Sequence, residues 1–199
     1  MLCNSGHNGE KISTIGLTGT ASFDVLSDVQ REVGLQNDSD IIRPEKLERE
    51  ELIFKIKNVS ADLFGSNTPW NIKTAVYSAT RDTLLNTLQT DLLTEFDCEN
   101  FSEFIKQDNE NSNCGLIFCP HAGGTDISVK KIAEFLRASF PEIAHLIGEY
   151  HGSGDNLDDI QDKFKDNKIT LLVATKAFGM GIDKPNIRFT VHVTHPISI

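Results

Sequence analysis

The feature that most constrains this chain is a regular alternation of short apolar runs with amphipathic stretches, which starts at Cys114. Apolar residues recur at helical spacing from Val129 to Phe140 and again from Leu157 to Phe164. Between and around these helices, runs of strand length predict β-strands over 115–119, 144–150, 169–174 and 187–193. This alternation predicts an α/β fold: a three-layer parallel sheet with helices on both faces.

The residues before the sheet region indicate an N-terminal arm. A predicted helix follows Ser22, which is a suitable cap, and Gly34 is placed to end it. The charged stretch 36–51 contains a proline and indicates a connector. We therefore expect a boundary that divides the chain into an arm, 1–51, and a main domain, 52–199.

The first part of the main domain is harder to interpret. Residues 52–59 alternate between apolar and polar side chains and predict a strand. Residues 72–78 fit either a strand or the start of a helix. Leu85, Leu88 and Leu92 then fall at helical spacing, which predicts a helix before the first strand of the regular region.

Composition narrows the class of protein. The 199 residues suffice for one domain with a flanking arm, and no run of about 18 apolar residues occurs that would span a membrane. The cysteines form no CxxC pair with matching histidines, so we expect no zinc or other metal site. We expect reduced thiols, a buried Cys119 and a cytoplasmic location, in the bacterial cytoplasm or nucleoid.

The net charge of −10 does not by itself suggest a nucleic-acid partner. The acidic excess lies in the first part of the chain, because residues 1–114 hold ten Lys and Arg against 19 Asp and Glu, whereas residues 115–199 hold nine against ten. The second half is therefore neutral enough for a local phosphate-binding face, although charge alone does not predict one.

Ligands of parallel sheets bind beyond the carboxyl ends of the strands, so the loops there are the candidate site. The loop 120–125 contains His121, Gly123 and Thr125 and leads into a helix, whose free N–H groups would favour a phosphate. Any tight strand-to-helix turn also uses glycine, so a phosphate-binding loop and an ordinary turn both remain possible interpretations. His151 follows the second strand and is either a phosphate or base contact or an ordinary loop histidine.

The loop after the third strand is the most informative. Thr175 and Lys176, two good phosphate partners, come directly after the strand. Two glycines spaced by one residue follow, and then Asp183, whose carboxylate could accept hydrogen bonds from a ribose hydroxyl. A glycine-kinked crossover with a capping aspartate is the alternative.

The run from Leu172 to Phe189 (LVATKAFGMGIDKPNIRF) closely resembles motif V of RecQ-like superfamily 2 ATP-dependent DNA helicases. Weaker segments fit in order around it. They are Gly16–Ala21, similar to motif III; Gly115–Cys119, similar to the motif IV strand; Tyr150–Gly152, similar to the tyrosine-histidine pair of the family; and Val191–Val193, similar to the segment after motif V. The resemblance implies the second, C-terminal RecA-like motor domain, preceded in 1–51 by the end of the first.

The resemblance also implies roles for individual residues. It implies ATP binding by Gly179, Met180, Gly181 and Asp183, with Asp183 towards the ribose. It implies single-stranded DNA binding by His121, Gly123, Thr125, His151, Thr175 and Lys176, and coupling between the two sites by Thr18 and Thr20. The implied partners are single-stranded DNA and the first motor domain of the same protein, and the implied cofactors of the intact enzyme are ATP and Mg²⁺.

The chain also departs from the family pattern. Thr194 and His195 stand where an acidic and an apolar residue are usual, and the turn Ala122–Gly124 is unusual for motif IV. No GxxxxGK[ST] loop occurs, and the sequence stops before an arginine-containing motif VI. We therefore expect no catalytic residue in this chain, no tight cofactor binding and no hydrolysis by the chain alone.

Two other functions remain open. One is a non-catalytic module for nucleic-acid or protein binding that retains the motor fold, for which the acidic first half would suit protein contacts. The other is a small-molecule α/β enzyme, for which no convincing Ser-His-Asp or Cys-His arrangement is present. Single-stranded DNA binding that weakens with salt separates the helicase interpretation from a protein scaffold.

Overall fold

The computed structural model of the chain describes residues 23–35, 37, 41–42, 51–59, 69–108, 112–178 and 182–194. The chain divides into two units, with the division between Lys55 and Ile56. In the described residues, no helix is both long and apolar enough to cross a membrane. The predicted coupling residues, Thr18 and Thr20, lie outside the described residues.

The first unit contains helix α1, Phe23–Val33. Gly34 follows it with a φ of 76°, a left-handed conformation that glycine adopts without a steric penalty. The N–H of Leu35 then donates to the carbonyl of Gln30 at 2.9 Å and closes the helix end. The helix predicted for the arm, with Gly34 as its C-terminal stop, is therefore confirmed.

The second unit contains a four-stranded sheet and the helices around it. The strands are β1 (Cys114–Phe118), β2 (Ile147–Tyr150), β3 (Leu171–Ala174) and β4 (Ile187–His192). The helices are α2 (Pro69–Asn86), α3 (Leu92–Glu95), α4 (Phe101–Ile105), α5 (Val129–Ser139) and α6 (Leu157–Lys165). A π-helical turn, Thr87–Asp91, joins α2 to α3, and a 3₁₀-helix, Pro141–Leu146, precedes β2.

All neighbouring strands are parallel, in the order β2-β3-β1-β4. In β3, Leu171 and Val173 face one apolar core, whereas Leu172 and Ala174 face a second core on the other side. Helix α5 packs its apolar face into the first core, and α6 contributes Phe164 to the second. The predicted three-layer α/β fold, with a parallel sheet and helices on both faces, is confirmed.

Glycine at 115 allows an aromatic ring to lie directly on β1. Phe189 of β4 is 8% exposed and packs over Gly115, and a Cβ atom there would lie 2.5 Å from Cε1 and 2.7 Å from Cε2 of that ring. The rings of Phe101 and Phe104 lie beside Phe189, with centroid distances of 6.2 and 6.3 Å. Helix α4 is therefore held on the sheet by an aromatic cluster that fits only because residue 115 has no side chain.

The structure corrects the prediction of a strand over 52–59. These residues form no ladder with any other described residue, and Phe54 and Ile56 are 85% and 92% exposed. The undecided stretch 72–78 lies within helix α2, and the predicted helix around Leu88 is confirmed, with Leu88 fully buried. The second strand is shorter than predicted, because the 3₁₀-helix that starts at Pro141 occupies 141–146.

Candidate functional site

The carboxyl ends of β1, β2 and β3 meet at one edge of the sheet, hereafter the carboxyl edge. Backbone hydrogen bonds extend the ladder one residue past the strands. They run from the N–H of Cys119 to Ala174 at 2.8 Å, from Thr175 to Tyr150 at 3.0 Å and from Val193 to Phe118 at 3.0 Å. The loops that begin with residues 119, 151 and 175 therefore leave the sheet side by side, as a parallel topology requires.

The loop between β1 and α5 folds back onto the start of α5. The N–H of Val129 donates to the carbonyl of His121 at 2.9 Å, and the N–H of Lys130 donates to Ala122 at 3.3 Å. The N–H groups of these two residues were expected to be free, but they are hydrogen-bonded to carbonyls of the loop itself. A phosphate at this loop would instead meet the exposed side chain of His121 or the exposed backbone at Gly123.

Thr125 holds the only polar side-chain atom of this loop that is buried and without a hydrogen-bond partner among the described residues, its Oγ1. Its carbonyl accepts from the N–H of Ser128 at 3.1 Å and from the Ser128 hydroxyl at 2.6 Å. The backbone of Thr125 is therefore fixed, whereas its hydroxyl has no partner among the described residues. Gly124, with a φ of 85°, makes the turn that places Thr125.

His151 is buried, with 7% of its surface exposed, and its Nδ1 has no hydrogen-bond partner among the described residues. Its carbonyl accepts from the N–H of Gly154 at 2.8 Å. A Cβ at Gly154 would lie 3.1 Å from that carbonyl oxygen, so a larger residue would loosen the turn. The histidine is therefore set into the carboxyl edge and is not an ordinary exposed loop residue.

Thr175 and Lys176 begin a tight turn that a buried aromatic ring anchors. The carbonyl of Thr175 accepts from the N–H of Phe178 at 3.0 Å. The Phe178 ring, 3% exposed, packs edge-on against Tyr150 at 4.9 Å and against Phe164 at 5.6 Å. Thr175 is half-buried and Lys176 is exposed, so the turn presents the lysine to solvent.

Asp183 lies apart from this group. Gly179, Met180 and Gly181 are outside the described residues, and Asp183 reappears at the start of the approach to β4. The N–H of Ile187 donates to the carbonyl of Lys184 at 3.3 Å, and Ile187 pairs with Cys114, the first residue of β1. The loop after β3 has therefore crossed the sheet, and Asp183 lies towards the edge formed by the amino ends of the strands.

Sequence patterns missed two residues that organise the site. Lys184 is 9% exposed and donates a hydrogen bond to Asn167 in the turn before β3. Phe178 anchors the turn that follows β3. The signal for Phe178 was an aromatic residue between two polar positions and two glycines. For Lys184 no signal existed, because a lysine beside an aspartate and a proline normally suggests solvent exposure.

The described cysteines are free thiols, and Cys119 is buried as predicted, although it lies one residue past β1 and not within the predicted strand 115–119. Burial raises the pKa of the Cys119 thiol to about 12, and burial also raises the pKa of Cys114. Among the described residues, no group of three or more His, Cys, Asp or Glu side chains could hold a metal ion.

The sequence from residue 97 to residue 199 matches the family described as "Helicase conserved C-terminal domain". This match covers more than half of the chain, and the chain therefore belongs to that family. The parallel sheet and the motif V loop after β3 agree with the RecA-like fold of such domains.

Curated relatives indicate the particular type of helicase. The chain is 47% identical over 102 residues to "ATP-dependent DNA helicase RecQ" of Bacillus subtilis, a match that covers 49% of the chain and 16% of that protein. It is 28% identical over 191 residues to "Putative ATP-dependent DNA helicase Q1" of Caenorhabditis elegans, covering 94% of the chain and 24% of that protein. It is 35% identical over 103 residues to "ATP-dependent DNA helicase Q-like 4B" of Arabidopsis thaliana, covering 51% of the chain and 8% of that protein. The chain is thus a RecQ-like superfamily 2 helicase C-terminal domain, and it spans about a quarter or less of the length of these relatives.

Proposed function

We propose that this chain is the second motor domain of an ATP-dependent 3′–5′ DNA helicase, where it supplies half of the ATP cleft and half of the single-strand track. The observation that carries the proposal is the carboxyl edge, where Thr125 and Thr175 follow the neighbouring strands β1 and β3. The buried, unpartnered hydroxyl of Thr125 supports a ligand there, because such a group is costly unless it finds a partner.

The strand side of the proposal uses the carboxyl edge. Thr125 and Thr175 would donate to phosphate oxygens, the exposed Lys176 and His121 would add positive charge, and Gly123 lets the backbone approach, since nothing lies within 4 Å of a Cβ there. Because His151 is buried, it would act from beneath the surface that these exposed residues form. Single-stranded DNA and the first motor domain are the proposed partners.

The nucleotide side of the proposal uses the loop 179–183. The exposed Asp183 carboxylate makes no hydrogen bond or ion pair with any other described residue, so it is available to accept from a ribose hydroxyl. ATP with Mg²⁺ would supply the free energy that opens and closes the two motor domains. No GxxxxGK[ST] loop occurs in this sequence, so the chain alone is proposed to hydrolyse no ATP.

A binding assay with this chain tests the strand side. We expect weak binding of fluorescent oligo-dT, measured by anisotropy, with an affinity that falls steeply between 50 and 200 mM salt, roughly in line with a few phosphate contacts. Thr125→Val and Thr175→Val should each weaken binding about fivefold, the worth of one hydrogen bond of about 1 kcal/mol. Thr94→Val is the matched control, since that hydroxyl donates to the carbonyl of Thr90 within a helix.

Absence of binding at low salt would overturn the strand track and favour the alternative, a protein-binding module that retains the motor fold. For the nucleotide side, Asp183→Ala in the complete helicase should raise the KM for ATP and slow hydrolysis. Wild-type hydrolysis by that variant would remove Asp183 from the ATP site. A role in DNA repair and recombination and a location in the bacterial cytoplasm or nucleoid stay predictions, as does the assignment of 1–51 to the first motor domain.

A further inference from the structure

Lys184, the residue after Asp183, is a buried cation. Its side chain is 9% exposed, and its Nζ donates to the carbonyl of Lys165 at 3.1 Å and to Oδ1 of Asn167 at 2.6 Å. The Nζ also lies 5.2 Å from the centroid of the Phe164 ring. All three partners belong to the end of α6 or to the turn that follows it, so the lysine caps that helix from outside.

A buried lysine costs free energy of desolvation, which a purely structural helix cap does not require. Burial lowers the pKa of Lys184, because the charged ammonium loses its hydration, and the nearby Asp166 carboxylate offsets this loss only in part. A well-packed apolar residue often stabilises a protein as much as a buried charge does. The buried ammonium is therefore better explained by the backbone that it holds in place than by a contribution to the stability of the fold.

A second tie lies two residues further on. The side-chain amide of Asn186 donates to the same Oδ1 of Asn167 at 2.9 Å and to the carbonyl of Ser112 at 2.6 Å. Asn167 itself has a φ of 60°, a left-handed conformation that asparagine tolerates. One asparagine oxygen therefore accepts from both Lys184 and Asn186, with the rigid Pro185 between them.

These two ties fix the backbone immediately after Asp183 while leaving its own carboxylate exposed. Since Asp183 makes no hydrogen bond or ion pair to a described residue, its position depends on the neighbouring anchor. We propose that Lys184 is a positioning residue, which holds Asp183 where its carboxylate can accept a hydrogen bond from the ribose of ATP. This inference rests on the proposed function of Asp183.

The test is ATP hydrolysis by the complete helicase, with ATP and with its 2′-deoxy and 3′-deoxy forms. Lys184→Met should raise the KM for ATP about tenfold, the effect of one lost hydrogen bond to a charged group, and should bring the KM values for ATP and the deoxynucleotides together. Lys184→Arg keeps the charge and should restore part of this discrimination. Lys168→Met is the matched control, since Lys168 lies in the same turn but its side chain is 62% exposed.

Combination with Asp183→Ala separates the possible failures. If Lys184 acts through Asp183, the double variant should behave like Asp183→Ala alone. Wild-type sugar discrimination in Lys184→Met, beside a loss in Asp183→Ala, would overturn the inference and leave the proposed function standing. Wild-type behaviour of Asp183→Ala would overturn both. If Lys184→Met fails to fold, Asn186→Ala removes the second tie and must shift KM and discrimination in the same direction, and an unchanged enzyme would overturn the inference.

Discussion

Gly115→Ala should destabilise the chain through a single contact. The added Cβ would lie within 2.7 Å of three carbon atoms of the Phe189 ring. The ring cannot move away freely, because Phe101 and Phe104 lie beside it and Phe189 is 8% exposed. The substitution therefore forces β1 and β4 apart or drives the ring out of its packed position.

The size of the effect follows from two opposing contributions. Overpacking of a well-filled core costs about 1–3 kcal/mol. Alanine in the middle of a strand is more favourable than glycine by about 0.5–1 kcal/mol, because the unfolded chain loses less freedom. Because the added Cβ would meet three ring carbons at once, the overpacking cost falls in the upper part of its range. The free energy of unfolding should therefore fall by about 1–2 kcal/mol, which lowers the Tm of a domain of this size by roughly 2–8 °C.

Urea unfolding followed by circular dichroism measures this loss. Gly123→Ala is the control and should change little, because nothing lies within 4 Å of a Cβ at that position. Phe189→Leu makes room at the cluster, so the double variant with Gly115→Ala should cost less than the sum of the two single variants. Wild-type stability of Gly115→Ala, or strictly additive losses in the double variant, would refute the steric explanation.

Three further predictions concern an ion pair, a buried thiol and a histidine. Arg137→Met removes the 2.6 Å ion pair with Glu149 and should lower the free energy of unfolding by about 1 kcal/mol or less in a urea titration, since both side chains are partly exposed. Burial raises the pKa of Cys119 to about 12, so iodoacetamide at pH 8 should leave this thiol unmodified in the folded chain and alkylate it in urea. The half-buried Cys98 should react faster than Cys119 in the folded chain, and peptide mass spectrometry measures both reactions. Burial lowers the pKa of His192, so the unfolded chain takes up this proton more readily, and stability should fall as the pH drops from 6.5 towards the lowered pKa. His192→Gln should flatten that part of the profile of urea midpoint against pH.

Sequence patterns predicted β1 and β3 well because these two strands are buried on both faces. Continuous apolar runs such as 115–119 and 169–174 occur where helices cover both sides, and the observed strands Cys114–Phe118 and Leu171–Ala174 lie within a residue or two of them. The prediction for 52–59 was wrong because alternation describes a strand only where a partner edge supplies the ladder. The stretch 72–78 of helix α2 could not be decided between strand and helix, because most of the described side chains of α2 are partly or fully exposed and give little apolar periodicity.

The candidate site could be predicted only in part. A parallel sheet places the loops after β1, β2 and β3 together, so the grouping of Thr125, His151 and Thr175 at one edge follows from strand order. The separation of Asp183 from them does not follow, because no local pattern reveals that the loop after β3 returns to the opposite edge. The burial of Lys184 was equally hidden, since its partners lie on α6 and in the turn after it.

The crossing from Phe178 to Lys184 also sets a limit on chain length. β4 is two positions from β3 in the sheet, about 10 Å sideways, and the strands are about 13 Å long, so the link must span roughly 16 Å. The six residue-to-residue steps from Phe178 to Lys184 reach at most about 21 Å when fully extended. Removal of one residue would leave the link almost taut, and removal of about two would pull either the buried Phe178 or the buried Lys184 out of its packed position. Insertions, in contrast, should be accommodated between these two fixed ends.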